Sequence, residues 1–231
     1  MEVTDKIRKF AFEQGITALG SAPVSRYSKS PEGHHPGDYL PETKTVITFA
    51  YPLNPTSILN LPTTRHQYMQ EHHAANQILR YATHKIARML EEDGCTSLPV
   101  SPTPAIGDLA RLESDFSHKH SAAICGIGQF GLNNLLITLD NGPGVRLSSV
   151  FTTADISIRG TEITKNLCDD CRRCVDICPV GALDNYLDDF STQTGRPMDK
   201  EKCTHYIHTI HQGNRCGLCM KVCLERFYHG Q

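Results

Sequence analysis

Eight cysteines between Cys168 and Cys223 carry the most specific chemistry in this chain. The first run, Cys168-Asp169-Asp170-Cys171-Arg172-Arg173-Cys174-Val175-Asp176-Ile177-Cys178-Pro179, spells C-x2-C-x2-C-x3-C-P. A thiolate at every third residue, with the backbone curling between, lets three sulfurs converge on one face of a cubane iron–sulfur cluster. The fourth, three residues on and followed by a proline that turns the chain away, ligates the other cluster of a two-cluster unit. A second cluster is thereby implied, and Cys216-Gly217-Leu218-Cys219-Met220-Lys221-Val222-Cys223 supplies C-x2-C-x3-C for it. That run lacks one member, and Cys203 is the unused cysteine in this part of the chain. The predicted arrangement puts Cys168, Cys171, Cys174 and Cys223 on one [4Fe–4S] cluster. Cys216, Cys219, Cys178 and Cys203 form the other, although Leu224 stands where a second run usually carries proline.

The competing readings are a zinc ribbon and a disulfide framework. Zinc sites show two C-x2-C pairs across a spacer and have no need of the x3-C-P ending. The two remaining cysteines, Cys95 and Cys125, stand alone and read as buried small hydrophobes. At 231 residues the chain can bury a sizeable core. Its net charge of −2 argues against a globally basic nucleic-acid binder. The start, Met1-Glu2-Val3-Thr4-Asp5-Lys6-Ile7-Arg8, has early acids and no apolar run behind a basic stretch, so no secretory signal is expected. No stretch reaches the apolar length of a membrane span. A cytoplasmic protein without a membrane partner is expected, in a compartment where thiols stay reduced and dense cysteines bind metal.

The elements that must position these thiols are legible in part. Thr4 is a candidate N-cap for a first helix with Ile7, Phe10 and Ala11 on one face and Gly15 closing it. Ser25 to Thr43, rich in Ser, Pro, Gly and His, reads as a long loop. Thr45 to Tyr51 is β-branched and aromatic, stopped by Pro52, and predicts a buried strand. From Gln67 to Glu92, apolar residues at three- and four-residue spacing predict the longest helix, ended by Gly94. Leu98 to Val100 predicts a short strand, Ser117 to Cys125 a helix. Leu135 to Thr138 and Arg146 to Thr153 predict a hairpin turning at Asp140-Asn141-Gly142-Pro143-Gly144. Together these predict an α/β (or α+β) N-terminal domain over 1–160, followed by a bacterial ferredoxin-like two-cluster [4Fe-4S] domain over 161–231.

Gly126-Ile127-Gly128-Gln129-Phe130-Gly131 spells G-x-G-x-x-G, but a dinucleotide site needs a strand before the loop and a helix after it. Here the order is reversed, which favours a tight turn against some other cofactor. His205, His208 and His211 recur every third residue and read first as a solvated helix face, with proton delivery the sharper alternative. His34-His35 and His72-His73 are adjacent pairs whose rings diverge, a poor start for a metal site. His118 and His120 flank Lys119 just before the glycine loop, and one of them is expected to face the cofactor cavity.

The order of motifs resembles the epoxyqueuosine reductase family. The residues that carry the resemblance are Leu40 to Ile47, Ser117 to Ala123 leading into Cys125 to Asn133, and Gly142 to Thr153, followed by the cluster run. The cobalamin-binding core of reductive dehalogenases is similar in the same series. Cys203-Thr204-His205-Tyr206-Ile207 resembles that family's isolated cysteine with its tyrosine. The resemblance implies a cobalamin (corrinoid) held between the two domains and reduced one electron at a time by the clusters. It further implies cofactor contacts at Gly126, Gly128, Asn133, Arg146, Ser148, Thr152 and Tyr206. The epoxyqueuosine enzymes carry an acidic residue before the glycine loop where this chain has Leu112, flanked by Glu113 and nearby Asp115. Catalytic candidates in this chain are therefore Asp115, His118 and His120.

The leading expectation is a corrinoid-linked iron–sulfur reductase with an unidentified small-molecule or corrinoid-protein substrate. It would be fed by a low-potential donor of ferredoxin or flavodoxin type. Because the chain ends soon after Cys223, without the helical extension of longer relatives, tRNA is not an expected partner. Two alternatives stay open: an electron carrier without corrinoid that docks a partner enzyme, and an accessory protein that reduces corrinoid without turning over a substrate.

Overall fold

The computed structural model describes residues 2–102, 114–184 and 187–229. In chain order the elements are α1 (Val3–Glu13), β1 (Ala18–Pro23), α2 (Pro36–Tyr39), β2 (Thr45–Pro52), α3 (Pro55–Leu59), α4 (Arg65–Glu92) and β3 (Ser97–Val100). They continue with α5 (His118–Ile124), β4 (Gln129–Phe130), β5 (Leu136–Ile137), β6 (Val145–Thr152), α6 (Arg173–Asp176), α7 (Lys200–His205) and α8 (Leu218–His229). Two compact units result. The first is Met1–Pro52, Ala75–Gly128 and Arg146–Ile163, and the second is Leu53–Ala74, Gln129–Val145 and Thr164–Gln231. The cysteine-rich tail thus shares its unit with two segments from the earlier part of the chain.

The first unit is built on a four-stranded sheet in the order β1-β2-β6-β3. β1 runs antiparallel to β2, with Leu19 opposite Phe49, and β3 antiparallel to β6, with Leu98 opposite Phe151. Alternate residues of β2 enter two different cores. Ile47 and Phe49 pack with Ile7 and Ala11 of α1 and with Leu79, Ile86 and Leu90 of α4. Val46 turns the other way, to Tyr27, Phe116, Cys125 and Phe151. Both faces of this strand are covered, which is why its sequence reads as an unbroken apolar run without polar alternation.

Three expectations are corrected. Thr4 does not cap α1; the N-cap is Glu2, without a side-chain hydrogen bond, and Thr4 lies buried inside the helix. Ser25 to Thr43 is not a featureless loop. It contains a 3-10 turn at Val24–Tyr27 that buries Tyr27, then α2, where the His35 ring accepts from the Gly37 amide and Asp38 returns a bond to the His35 amide. The anticipated hairpin also does not form. β5 pairs instead with β4, Gln129 opposite Ile137, while β6 joins the large sheet. The turn chemistry at 140–144 is used, but it closes within a single bridge between Thr138 and Gly142, and Pro143 has no amide with which to extend the ladder.

Gly126 ends α5. Its amide bonds the Ala123 carbonyl and the next amide bonds Ala122, the pair of contacts of a Schellman turn, with φ at +72°. A Cβ there would meet no atom within 4 Å. Gly126→Ala should therefore lower stability by about 1–2 kcal/mol through backbone strain alone. Urea midpoints of the two proteins check this, and an unchanged midpoint would show that the turn relaxes.

Candidate metal centre

Two features of the backbone gather the first three thiols. Asp170 and Arg172 adopt left-handed conformations, with φ of 56° and 58°, so the chain reverses its curl between successive cysteines. Arg172 then serves as N-cap of α6, which carries Cys174 inward to near-complete burial. Cys168, Cys171 and Cys174 line a cavity of about 210 Å³, and Cys223, delivered by α8, lines the same cavity. Helix α8 is held by burial of Met220 and Leu224 on its apolar face and by an ion pair of 2.6 Å between Arg226 and Asp169.

Burial and neighbouring thiols raise the pKa of four of these cysteines. Burial, and then the nearby Cys168 and Cys171, push the Cys174 thiol up to about 11. Burial pushes Cys223 up to about 12, with Cys174, Cys168 and Cys171 adding to it and a hydrogen bond from Asn133 opposing. Cys203 is raised by burial and then by Cys178 and Cys216, with Arg215 opposing. Cys219 is raised by burial and most strongly thereafter by Cys216 and Cys203. The Cys178 sulfur accepts the Ala182 amide at 3.3 Å. Cys223 lines the cavity of Cys168, Cys171 and Cys174, whereas Cys219, one helical turn earlier on α8, is not among its lining residues.

This donor set fits iron–sulfur clusters. Bringing several thiols together away from water disfavours their ionisation, and bound iron supplies the positive charge that reverses that penalty. Leu132, Cys174, Val175 and Leu183 form an apolar cluster against which Cys168, Cys178 and Cys219 pack, so sulfurs of both groups lie against an apolar layer. Among the described residues, no three His, Cys, Asp or Glu side chains draw close enough to hold a single ion. A cubane spreads its ligands over four separate irons and needs a cavity between the thiols.

The other predicted site residues are dispersed. His118 is buried, with Nδ1 2.9 Å from Ser149 Oγ and Nε2 2.8 Å from the Ser101 carbonyl oxygen. Burial lowers its pKa to about 4, with Arg146 contributing in the same direction. His120 is exposed and bonds Ser117, the N-cap of α5, at 2.6 Å. Asp115 offers its backbone carbonyl to His34 and Tyr39. Leu112 and Glu113 lie outside the described residues. His205 and His208 are exposed, whereas His211 is half-buried and stacks edge-on against Tyr206 at 4.5 Å, where a π-helical turn at Tyr206–Ile210 breaks the histidine spacing.

Of the residues implied as corrinoid contacts, Ser148 and Thr152 are fully buried in β6. Ser148 bonds Thr83 and the Val100 carbonyl, and Thr152 bonds Ser97. Arg146 donates to Asn76 and to the Pro102 carbonyl. Gly128 is buried, and Gly126 has open space on the side a Cβ would occupy. Asn133 instead belongs to the thiol site: it lines the cavity and donates to the Cys219 carbonyl at 3.3 Å. Arg196, a buried cation beside Cys174, was not anticipated, since nothing in its local sequence distinguishes it from a surface arginine.

Comparison with known proteins agrees with this site. Residues 161–183 match the 4Fe-4S binding domain family. Epoxyqueuosine reductase of Gloeobacter violaceus is 27% identical over 202 residues, covering 85% of this chain and 56% of that protein. Tetrachloroethene reductive dehalogenase of Desulfitobacterium hafniense is 28% identical over 116 residues, covering 44% and 21%. The structure of epoxyqueuosine reductase from Streptococcus thermophilus superposes with a TM-score of 0.63 at 18% identity, covering 96% of this chain and 65% of that one. A reductive dehalogenase structure tied to B12-dependent dehalogenation superposes at 0.70, also at 18% identity, covering 94% and 30%. The chain therefore spans little more than half of the Gloeobacter relative. The fold and the cysteine arrangement define an iron–sulfur protein. Within that class it is epoxyqueuosine reductase-like, related in sequence to the epoxyqueuosine reductases and to the reductive dehalogenases.

Proposed function

We propose that the chain carries two [4Fe–4S] clusters in crossed ligation and passes single electrons to a bound corrinoid and on to an unidentified substrate. The observation that carries the cluster part is the shared cavity of Cys168, Cys171, Cys174 and Cys223, which joins residues from opposite ends of the motif region. When bound, a corrinoid supplies a cobalt centre able to deliver electrons to a reducible carbon–oxygen or carbon–halogen bond. The support for such a group is the open approach at Gly126, together with the B12-dependent dehalogenation of one structural neighbour. His118 is a poor proton donor, neutral above pH 4 with both nitrogens engaged, so Asp115 is the group put forward for that role.

A second reading, an electron carrier without corrinoid that docks a partner enzyme, is favoured by a specific observation. The side chains of Ser148, Thr152 and Asn133 already have partners within the fold. Anaerobic reconstitution with iron, sulfide and hydroxocobalamin, followed by gel filtration, separates the two. A corrinoid absorption band that elutes with the iron-loaded protein is the expected result. Iron-loaded protein that elutes free of corrinoid would overturn the first reading and leave the carrier.

A further inference from the structure

Two polar side chains from outside the cysteine motifs reach the first group of thiols, and each is nearly withdrawn from water. Asn133, 4% exposed, follows the glycine-rich loop. Its Oδ1 is fixed by the Leu135 amide at 3.1 Å. Its Nδ2 carries two hydrogens: one goes to the Cys219 carbonyl at 3.3 Å, and the side chain lines the cavity of Cys168, Cys171, Cys174 and Cys223, where the second faces the thiol site. Arg196, 5% exposed, donates from Nε to the Leu132 carbonyl at 2.9 Å and from its terminal nitrogen to the Leu183 carbonyl. Leu132 and Leu183 belong to the same apolar cluster as Cys174, so the guanidinium is held at the backbone of the layer that buries that thiol.

From this arrangement we propose that Asn133 and Arg196 set the reduction potential of the cluster held by Cys168, Cys171, Cys174 and Cys223. The inference rests on the two-cluster reading above. One-electron reduction adds a negative charge to a cluster that is already anionic; no covalent bond forms or breaks and no proton moves. A fixed positive charge in surroundings of low dielectric stabilises the reduced form more than the oxidised form. An N–H directed at a ligating sulfur acts in the same direction, and hydrogen bonds to sulfur, net charge and solvent exposure are the levers by which proteins spread these potentials. Arg196 supplies the charge and Asn133 the N–H. Both raise the potential of this cluster, and both act as positioning and tuning groups without touching iron.

The test is a dye-mediated titration of the reconstituted full chain with dithionite, followed by electron paramagnetic resonance. It compares the natural protein with Arg196→Gln, Arg196→Lys and Asn133→Ala. The signal of the relevant cluster is identified as the one lost in Cys171→Ala. Arg196→Gln is expected to lower the reduced-to-oxidised ratio of that signal at fixed poise by about tenfold, equivalent to 59 mV for one electron. Asn133→Ala should lower the same ratio by about threefold, and Arg196→Lys, which keeps the charge, by less than Arg196→Gln. The inference is overturned if neither ratio moves, if the other cluster moves instead, or if Arg196→Lys falls as far as Arg196→Gln. Should Arg196→Gln take up no iron, Asn133→Ala decides: a ratio within twofold of the natural protein overturns the inference. Natural protein that loads only about four irons would instead count against the two-cluster reading, since the shift can still be read on the signal that remains.

Discussion

Replacing Cys223 by alanine is expected to remove about half of the iron and sulfide from the reconstituted protein, and the half removed belongs to the run that begins at Cys168. Two cubanes on eight thiolates imply about eight irons per chain, so the loss is about four. The reason lies in the geometry. Cys223 shares a cavity with Cys168, Cys171 and Cys174, while Cys219, one turn earlier on α8, does not line it. Pairs of substitutions distinguish crossed from local ligation. Cys171→Ala combined with Cys223→Ala should lose no more iron than either alone, because both strike one cluster. Cys216→Ala combined with Cys223→Ala should empty the protein. Additive loss in the first pair, with no further loss in the second, would show that each run holds its own cluster.

Acid should weaken the first unit through His118. The Ser101 carbonyl can only accept, so Nε2 carries the proton and Nδ1 accepts from Ser149. Ser149 in turn lies 3.0 Å from Thr48, Thr48 2.6 Å from Ser121, and Ser121 2.6 Å from Tyr27. Each hydroxyl in this buried chain can donate to the next, ending on the imidazole. A second proton on His118 would force the Ser149 hydroxyl to turn from donor to acceptor and would place a charge inside this buried chain. Burial and the neighbouring Arg146 together hold the ring at about 4 instead of its ordinary 6.5. The sign follows from linkage. Above about pH 6.5 neither the native nor the unfolded ring is charged, and His118 adds no pH dependence. Between 6.5 and 4 the unfolded chain takes up a proton that the native protein refuses, so stability falls as pH falls. Below 4 the effect is complete. A shift of this size corresponds to roughly 3 kcal/mol. Urea midpoints of the natural protein and His118→Gln, compared at pH 7 and pH 4, check it: the stability gap between them should narrow by about that amount. Acid effects on the thiols are common to both proteins and cancel in the comparison. A gap that stays constant would mean that His118 titrates normally.

The division between sequence and tertiary structure in this protein follows from how far apart the interacting residues lie. Local patterns were sufficient wherever one element's own spacing decides its form. The apolar periodicity of α4, the β-branched run of β2 and the three-residue cysteine spacing each report on neighbours within a turn or a strand. The break in dinucleotide context at Gly126 was legible for the same reason, because a helix before the loop and a strand after it are local facts. Strand pairing was not. Leu136-Ile137 and β6 carry turn residues between them, yet they enter different sheets, since a partner is chosen by the apolar faces available across the fold and β6 finds β2 and β3 there. Polar residues were the least legible. Ser148 and Thr152 look the same in sequence whether they face a ligand or close hydrogen bonds inside a sheet, and only the packing of α4 and β3 around them assigns their hydroxyls. Asn133 lines one cavity with Cys223, and Arg196 bonds the Leu132 carbonyl in the apolar cluster of Cys174, across stretches of chain that no spacing rule spans. The chemistry of the thiols was written in their order along the chain; the charge and hydrogen bonds that tune them are contributed by residues which only folding brings near.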